Sequence, residues 1–179
     1  MFFILLVILL AGLIYWMLYL AIITDSLLGD YDFPTSKLAV DRVAEIIRER
    51  TGNLYDLGSA RGNFLLRLTR KVPNIRYYGL DNSLFRIWIS RLKAFFLNKN
   101  IVFLHKDIFE ADFTKIDTAY IYLELSLMSE LQKKLQAELK MGAMVITNTN
   151  YFPDWQPQAT FITHFDQPQK EKLFVYEKK

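Results

Sequence analysis

Asn53-Leu54-Tyr55-Asp56-Leu57-Gly58-Ser59-Ala60-Arg61-Gly62-Asn63 decides the reading of this 179-residue chain. Residues 53–57 read as a short strand that delivers Asp56, and Gly58 and Gly62 make the sharp turn that follows it. A helix begins at once, over about 62–71, and stops near Pro73. Strand, glycine turn and helix in that order let a ligand lie against bare backbone at a helix N-terminus. A triphosphate loop would end in Gly-Lys-Ser or Gly-Lys-Thr, which is absent. A dinucleotide fingerprint needs glycine at 58, 60 and 63, and Ala60 and Asn63 break it. The spacing that fits is acid-x-Gly-x-small-x-Gly, filled by Asp56, Gly58, Ala60 and Gly62.

Outward from this stretch, helical and strand periods alternate. Val40, Val43, Ala44 and Ile47 recur at i, i+3, i+4 and i+7, which predicts an amphipathic helix over 36–50 with Ser36 as N-cap and Pro34 just outside. Strands are expected at 75–80, 101–105, 119–123 and 143–147, and a helix at 83–98. After the fourth strand, Leu127, Leu131, Leu135 and Leu139 form one helical stripe, with Gly142 as its stop. Residues 161–165 and 173–176 flank a polar segment and read as a hairpin. The alternation implies right-handed crossovers and an α/β fold: a mostly parallel, seven-stranded sheet covered on both faces, with a C-terminal antiparallel hairpin. No internal repeat, low-complexity segment or second domain is visible.

Composition divides the chain. It is 52% hydrophobic, with 22 Lys+Arg against 19 Asp+Glu and no cysteine. Residues 1–23 hold no charge and, apart from Gly12, only apolar side chains. Without them the hydrophobic fraction falls to about 46%, an ordinary globular value. As a helix those residues span about 34 Å, enough for a hydrocarbon core of roughly 30 Å. Tyr15, Trp16 and Tyr19 lie toward its far end, where aromatic rings prefer the interface. A transmembrane signal-anchor is expected. A cleaved signal peptide fits less well, because no Lys or Arg precedes the run, the run is long and no small-x-small site precedes Asp25. A buried core helix fits poorly, because no face of this run is polar. The expected organisation is a membrane helix at 1–23, an acidic linker and ligand-proximal segment at 24–35 with Asp25, Asp30 and Asp32, and a soluble domain at 36–179. A net charge of +3 argues against a nucleic-acid partner, which would want a concentrated basic face. The lack of cysteine excludes disulfides, thiolate-bound metal and thiol catalysis. His105 and His164 are too isolated for a metal site or a catalytic pair, so no metal is expected.

Two further acids stand in register with Asp56. Asp81 ends the second strand in Tyr78-Gly79-Leu80-Asp81-Asn82, where a carboxylate can accept both hydroxyls of a ribose. Asp107 follows the third strand in His105-Lys106-Asp107-Ile108-Phe109. Three acids, one per successive strand end at the carboxyl edge of a parallel sheet, mark a ligand site. With these residues placed, the loop resembles motif I of the class I S-adenosylmethionine-dependent methyltransferases. That resemblance implies a Rossmann-like fold and S-adenosylmethionine as cofactor, with adenine bound beside Asp107 and Ile108.

The whole chain through about Pro157 resembles a narrower family, the single-transmembrane lysine methyltransferases of the ATP synthase c-subunit and the adenine nucleotide translocase, with their prokaryotic relatives. The likeness is carried by Phe33-Pro34-Thr35, Asp56 to Ser59, Asn82, Ser90-Arg91 with Ala94, Asp107, Met128 and its helix, and Phe152-Pro153-x-Trp155-x-Pro157. It implies cofactor contacts from Thr35, Asp56, Gly58, Ser59, Ala60, Gly62, Asp81, Asn82, Asp107 and Ile108. Where the family usually has Gly-Asp this chain has Ala60-Arg61, and where it usually has Glu this chain has Asp81. Arg61 reverses a charge beside the cofactor's methionine end.

For catalysis, a lysine amine must lose a proton before it attacks, and an apolar cleft lowers its pKa from about 10.4. No dedicated base is then required. Glu124 at the end of the fourth strand is the candidate for orienting the amine, with Tyr122, Trp155 and Phe33 as candidate cleft walls, each against the plainer reading of strand-end solvation or packing. Base methyltransferases often carry Asp/Asn-Pro-Pro-Tyr/Phe where this chain has Glu124-Leu125-Ser126-Leu127, which argues against that acceptor. The expected function is a membrane-anchored methyltransferase acting on a lysine of a protein at the bilayer. Alternatives are an RNA, small-molecule or lipid methyltransferase, or an anchored nucleoside-binding module without catalysis. Because S-adenosylmethionine is intracellular, the N-terminus is expected outside and the domain in the cytoplasm.

Overall fold

The uncharged run at the start of the chain lies in one helix, α1 (Phe2–Leu28), as expected of apolar residues without proline, Gly12 being tolerated. The computed structural model describes residues 2–28 and 34–179, in two compact units, Met1–Asp32 and Phe33–Lys179. Expectations for Asp30, Asp32 and Phe33 therefore lie outside the described residues. In α1 the segment Phe2–Leu20 has mean hydropathy 2.6 and is exposed throughout, so by length and composition it can cross a bilayer, a property shared with signal sequences. The helix passes the expected end at Ile23 and continues through Asp25.

The second unit opens with α2 (Lys37–Ile46), whose Ser36 Oγ accepts the Ala39 N–H at 3.0 Å and caps the helix as predicted. There follow β1 (Gly52–Leu57), α3 (Asn63–Leu68), β2 (Ile75–Asp81), α4 (Leu84–Phe96), β3 (Ile101–His105), β4 (Thr118–Ile121), α5 (Leu125–Glu138), β5 (Met144–Asn148), β6 (Ala159–Ile162) and β7 (Lys172–Glu177). The seven strands form one sheet in the order β3-β2-β1-β4-β5-β7-β6. Strands β1 to β5 pair in parallel, β7 runs antiparallel to β5, and β6 antiparallel to β7. This is the α/β sheet with a terminal hairpin that the alternation implied.

Several boundaries differ from expectation: α3 ends at Leu68 rather than near residue 71, β4 ends at Ile121 rather than 123, and three further shifts lie at α5, α2 and the hairpin. α5 stops at Glu138, not at Gly142: Leu139 already has extended backbone, and Gly142 at φ 78° turns the chain into β5. α2 ends at Ile46 and residues 47–49 form a turn, short of Arg50. The hairpin is shifted, because its ladder ends at Ile162↔Lys172. Beyond that pair the Thr163 hydroxyl donates to the Glu171 carbonyl at 2.8 Å, which closes the strand before Phe165.

Side-chain alternation gives the sheet two cores. On one face α2, α3 and α4 pack Val43, Leu65 and Ile87 against Leu54, Tyr77, Phe103 and Ile146. On the other, α5 supplies Met128, Leu131 and Leu135 against Tyr55, Leu57, Ala119 and Val145. The crossover from β3 to β4 has no helix over residues 106–117. Ile108, Ala111, Phe113 and Ile116 fill its place as a packed loop, with Phe113 and Ile116 fully buried. Phe113→Ala is expected to cost about 3–5 kcal/mol, the usual range for deleting a buried ring; urea unfolding in detergent reads it, and a loss under about 1 kcal/mol would mean the loop is not part of the core.

Candidate functional site

Parallel strands deliver their carboxyl ends to one edge, and the predicted acids gather there. Gly58 and Ser59 both donate their N–H to the Leu80 carbonyl, at 2.9 and 2.7 Å, so the turn after β1 is stitched to the end of β2. Gly58, Ala60 and Gly62 have φ of 87°, 45° and 71°. A Cβ on Gly62 would lie 2.6 Å from Phe103 Cζ, and one on Gly79 2.6 Å from Phe103 Cδ1. The Phe103 ring thus occupies the space that two missing Cβ atoms leave beneath the loop. Ala60 is the exception: it holds a left-handed conformation that costs an L-residue roughly 1–2 kcal/mol.

Asp81 holds this loop in place. Its carboxylate accepts the Ala60 N–H at 2.8 Å and the Ser83 N–H at 2.9 Å. Ser83 in turn caps α4, its Oγ accepting the Arg86 N–H. From α4, the Ser90 hydroxyl lies 3.1 Å from the Ala60 carbonyl, and Lys93 Nζ donates to the Arg61 carbonyl and to Asn63 Oδ1. Arg91 donates through Nε and Nη2 to the Phe103 carbonyl. Ser90 and Arg91, matched in sequence without a role, are therefore fastenings between α4, the loop and β3.

Asp56 is 3% exposed, and among the described residues no donor bonds to its carboxylate. Burial, with the nearby Asp81 carboxylate second, holds its pKa well above the usual carboxylate range. The buried Ser59 Oγ, in the turn that follows, has no hydrogen-bond partner. A buried acid, an unpartnered hydroxyl and bare glycine backbone fit a cationic nucleoside such as S-adenosylmethionine. Asp107 is exposed and accepts the Phe109 N–H at 2.8 Å, forming a turn that presents the buried Ile108. Asn82 is exposed, and its carbonyl accepts a hydrogen bond from His105 Nε2 at 2.9 Å, which gives His105 a structural task.

Of the remaining predicted residues, Tyr122 and Glu124 follow the carboxyl end of β4 at this edge, whereas Trp155 packs against a core cluster. Glu124 is exposed at the N-cap position of α5, where a negative charge suits the helix dipole, and lies 3.5 Å from Ser126 Oγ. Tyr122 is half-buried and packs against the core of the α2–α4 face. Trp155 packs between Phe152 and Tyr176, at ring distances of 5.6 and 5.3 Å, in the core of the opposite face.

A polar network beside Asp56 escaped the sequence reading. Asn148 Nδ2 donates to the Tyr120 hydroxyl at 2.9 Å and to Glu171 Oε1 at 2.7 Å. The Tyr120 hydroxyl is 2.9 Å from Thr35 Oγ1, and Glu171 Oε1 also accepts the Ser36 N–H. Arg67 of α3 donates to the Thr35 carbonyl, and Phe64 stacks on Tyr120 at 3.8 Å. Thr35 is thereby fixed as part of a strap across the sheet edge. The only sequence signal was a polar ending, Asn148-Thr149-Asn150, on an otherwise apolar strand. Glu171 sat in a hairpin segment that reads as solvated, yet it is 4% exposed.

Comparison with known proteins adds to this geometry. The family profile of the ANTKMT methyltransferase domain matches residues 56–159. The lysine N-methyltransferase of the ATP synthase c-subunit from Xenopus laevis is 28% identical over 130 residues, 72% of this chain and 57% of that protein. The adenine nucleotide translocase lysine N-methyltransferase of Mus musculus is 28% identical over 122 residues, 67% of this chain and 53% of that protein. The chain therefore spans little more than half the length of these relatives. A solved RNA methyltransferase from Salinibacter ruber, in complex with S-adenosyl-L-homocysteine, aligns with a TM-score of 0.72 at 26% identity, covering 81% of this chain and 93% of that one.

Substitutions at Gly62, Phe103 and Asp56 test the loop and the acid that precedes it. Gly62→Ala meets both a disfavoured φ and the Phe103 ring, for an expected loss of about 2–4 kcal/mol; adding Phe103→Leu should recover part of it, and no recovery would show that the ring is not the obstacle. Asp56 takes up a proton on folding, because its folded pKa is raised above the unfolded value. Its contribution to stability therefore falls as pH rises from the unfolded carboxylate range through that raised value. Asp56→Asn is expected to raise the melting temperature of the ligand-free protein at neutral pH and to flatten its pH dependence; a variant that loses stability relative to wild type between about pH 5 and pH 7 would contradict this.

Proposed function

The chain belongs to the ANTKMT methyltransferase family, and on that premise we propose that it is an S-adenosylmethionine-dependent enzyme that methylates a lysine side chain of a protein at or in a membrane. The observation that carries this reading is the pair of buried carboxylates, Asp56 and Asp81, set against a bare-backbone loop inside the matched region. S-adenosylmethionine, when bound, supplies an electrophilic methyl group on a sulfonium.

The chain's own residues supply position. In this reading Asp56 and the loop amides around Ser59 and Ala60 hold the methionine end, behind the strap that carries Thr35. Asp56 is pushed toward its neutral form in the free protein, and a cation beside it restores the charge. Cofactor binding should therefore release a proton and tighten as pH rises. In this reading the Asp81 carboxylate, which fastens the loop through the Ala60 and Ser83 N–H groups, also accepts the ribose hydroxyls, with Asn82 beside it. Asp107 and Ile108 frame the adenine. The acceptor amine needs only an apolar surround to lose its proton, so Tyr122 supplies wall and Glu124 orientation, and Trp155 braces the loop that closes that side.

The N-terminal helix is proposed as the anchor, with residues 36–179 as the methyltransferase domain facing the cytoplasm and the N-terminus outside. The protein acceptor is supported by the relatives' named substrates. An RNA acceptor is the second reading, favoured by the likeness to the Salinibacter ruber enzyme over 93% of its length.

Full-length protein in detergent should bind radiolabelled S-adenosylmethionine, with Asp56→Asn and Asp81→Asn each weakening binding about tenfold or more, a difference of ~1.4 kcal/mol. No binding by wild type would overturn the enzyme reading. Incubated with membranes from cells that lack the protein, the labelled cofactor should give methyllysine in a membrane protein. Label confined to RNA would overturn the lysine acceptor.

A further inference from the structure

Three helices cover one face of the sheet, and the third, α4, turns an unusual surface outward. At about 100° per residue, Leu84, Trp88, Leu92, Phe95 and Phe96 fall within an arc of roughly 120°. All five are exposed, Phe95 by 79%, Phe96 by 74%, Leu84 by 62%, Trp88 by 51% and Leu92 by 41%. The half-buried Phe85 and Ile89 lie in or at the margin of the same arc. The opposite arc holds the buried Ile87, Ser90 and Ala94, which bind α4 to the sheet and loop. Isolated apolar residues at a surface are ordinary; a contiguous aromatic stripe along a whole helix marks an interaction face.

The charges around the stripe say what it meets. Arg91 and Lys93 flank the arc on its two sides. From residue 83 to residue 106 the chain carries Arg86, Arg91, Lys93, Lys99 and Lys106, and no acid at all. Of these only Arg86 is buried. An apolar stripe with Trp, Phe and Leu, edged by cations and free of carboxylates, matches a bilayer surface with anionic headgroups. The nearest acids along the chain, Asp81 and Asp107, lie at the end of β2 and just past β3 and not on α4, and a protein groove would not demand a helix whose own charges are all positive.

We propose that α4 is an interfacial helix that lays its outward face, from Leu84 to Phe96, into the boundary between headgroups and acyl chains of an anionic bilayer. The proposal uses the anchor reading of α1 only as a tether, which raises the local concentration of the face at the bilayer. It also bears on the site. α4 begins three residues after Asp81, at the carboxyl edge, and runs back along β2 and β3. Lying flat, it holds that edge at headgroup height, where the side chain of a membrane-embedded acceptor can reach it.

The chain has no cysteine, so a single introduced thiol can carry a nitroxide without further changes. Trp88→Cys and Phe95→Cys serve for α4, Lys133→Cys on α5 as the water reference and Leu9→Cys for α1, each in the full chain. The labelled proteins are reconstituted into vesicles of phosphatidylcholine with phosphatidylglycerol, and collision rates with oxygen and with a nickel chelate are measured. The oxygen-to-nickel ratio at 88 and 95 should exceed that at 133 several-fold, and should drop in pure phosphatidylcholine at high salt. A ratio at 95 equal to that at 133 overturns the proposal. So does protection from both probes, the sign of a protein neighbour such as α1 or a second copy. The label at 9 reads the anchor separately: water-exposed there but lipid-exposed at 95 would sink the anchor and leave the α4 face supported.

Discussion

One carboxylate ties the domain together at its working edge. Asp81 ends β2, accepts the N–H of Ala60 in the glycine turn and accepts the N–H of Ser83 at the head of α4. Strand, loop and helix therefore share a single buried anchor. Its position puts the next acid, Asp56, into the same low-dielectric space, and the Asp81 charge disfavours that of Asp56. A packed interior chosen for stability alone would not keep such a pair. Their persistence, with Ala60 in a left-handed conformation and Ser59 Oγ unpartnered, is the local strain expected where a ligand completes the structure.

A second constraint comes from the far end of the chain. Glu171, Asn148, Tyr120 and Thr35 form a continuous buried hydrogen-bonded line from the hairpin through β5 and β4 to the strap before α2. Each member satisfies a polar group that would otherwise be costly to bury, so the network is sound only when complete. It pins the segment around Thr35 over the carboxyl edge, and it does so beside Asp56, whose charge is among those Tyr120 feels. The terminal hairpin is thus part of the site's support, and removing it would release the strap.

The two sheet faces are covered unequally. Three helices protect one, while α5 and a packed loop protect the other. Economy on the second face is matched by excess on the first, where α4 carries one apolar surface inward and another outward. A helix apolar on most of its circumference is usually buried, and α4 is buried on only one side. That mismatch is a property of the helix in its place, because which of its faces is covered depends on what packs against it.

Local physics made much of this legible in the sequence. Glycines at 58 and 62 with an acid at 56 announce the turn, because only residues without a Cβ accept those φ values cheaply in so crowded a place. Alternating periods of two and near four announce the parallel sheet, Ser36 announces its helix, and the uncharged head announces a segment that can span a bilayer. These signals survive because each depends on neighbours a few residues away. Helix and strand ends did not follow from them: α5 stops at Glu138, short of Gly142, and β6 ends at Ile162, where Thr163 meets Glu171. Nor did the burial of Glu171, the partnership of Tyr120 with Asn148, or the shared tasks of Ser90, Lys93 and Arg91. The Tyr120–Asn148, Ser90–Ala60, Lys93–Arg61 and Arg91–Phe103 contacts join residues between 12 and 32 positions apart, and Glu171 meets Ser36 135 positions away, so burial and partners are set by what the fold brings together. The sequence by itself determined the turn, the order of elements and the greasy head; the tertiary structure alone decided which polar groups are buried together, and so which residues hold the site in shape.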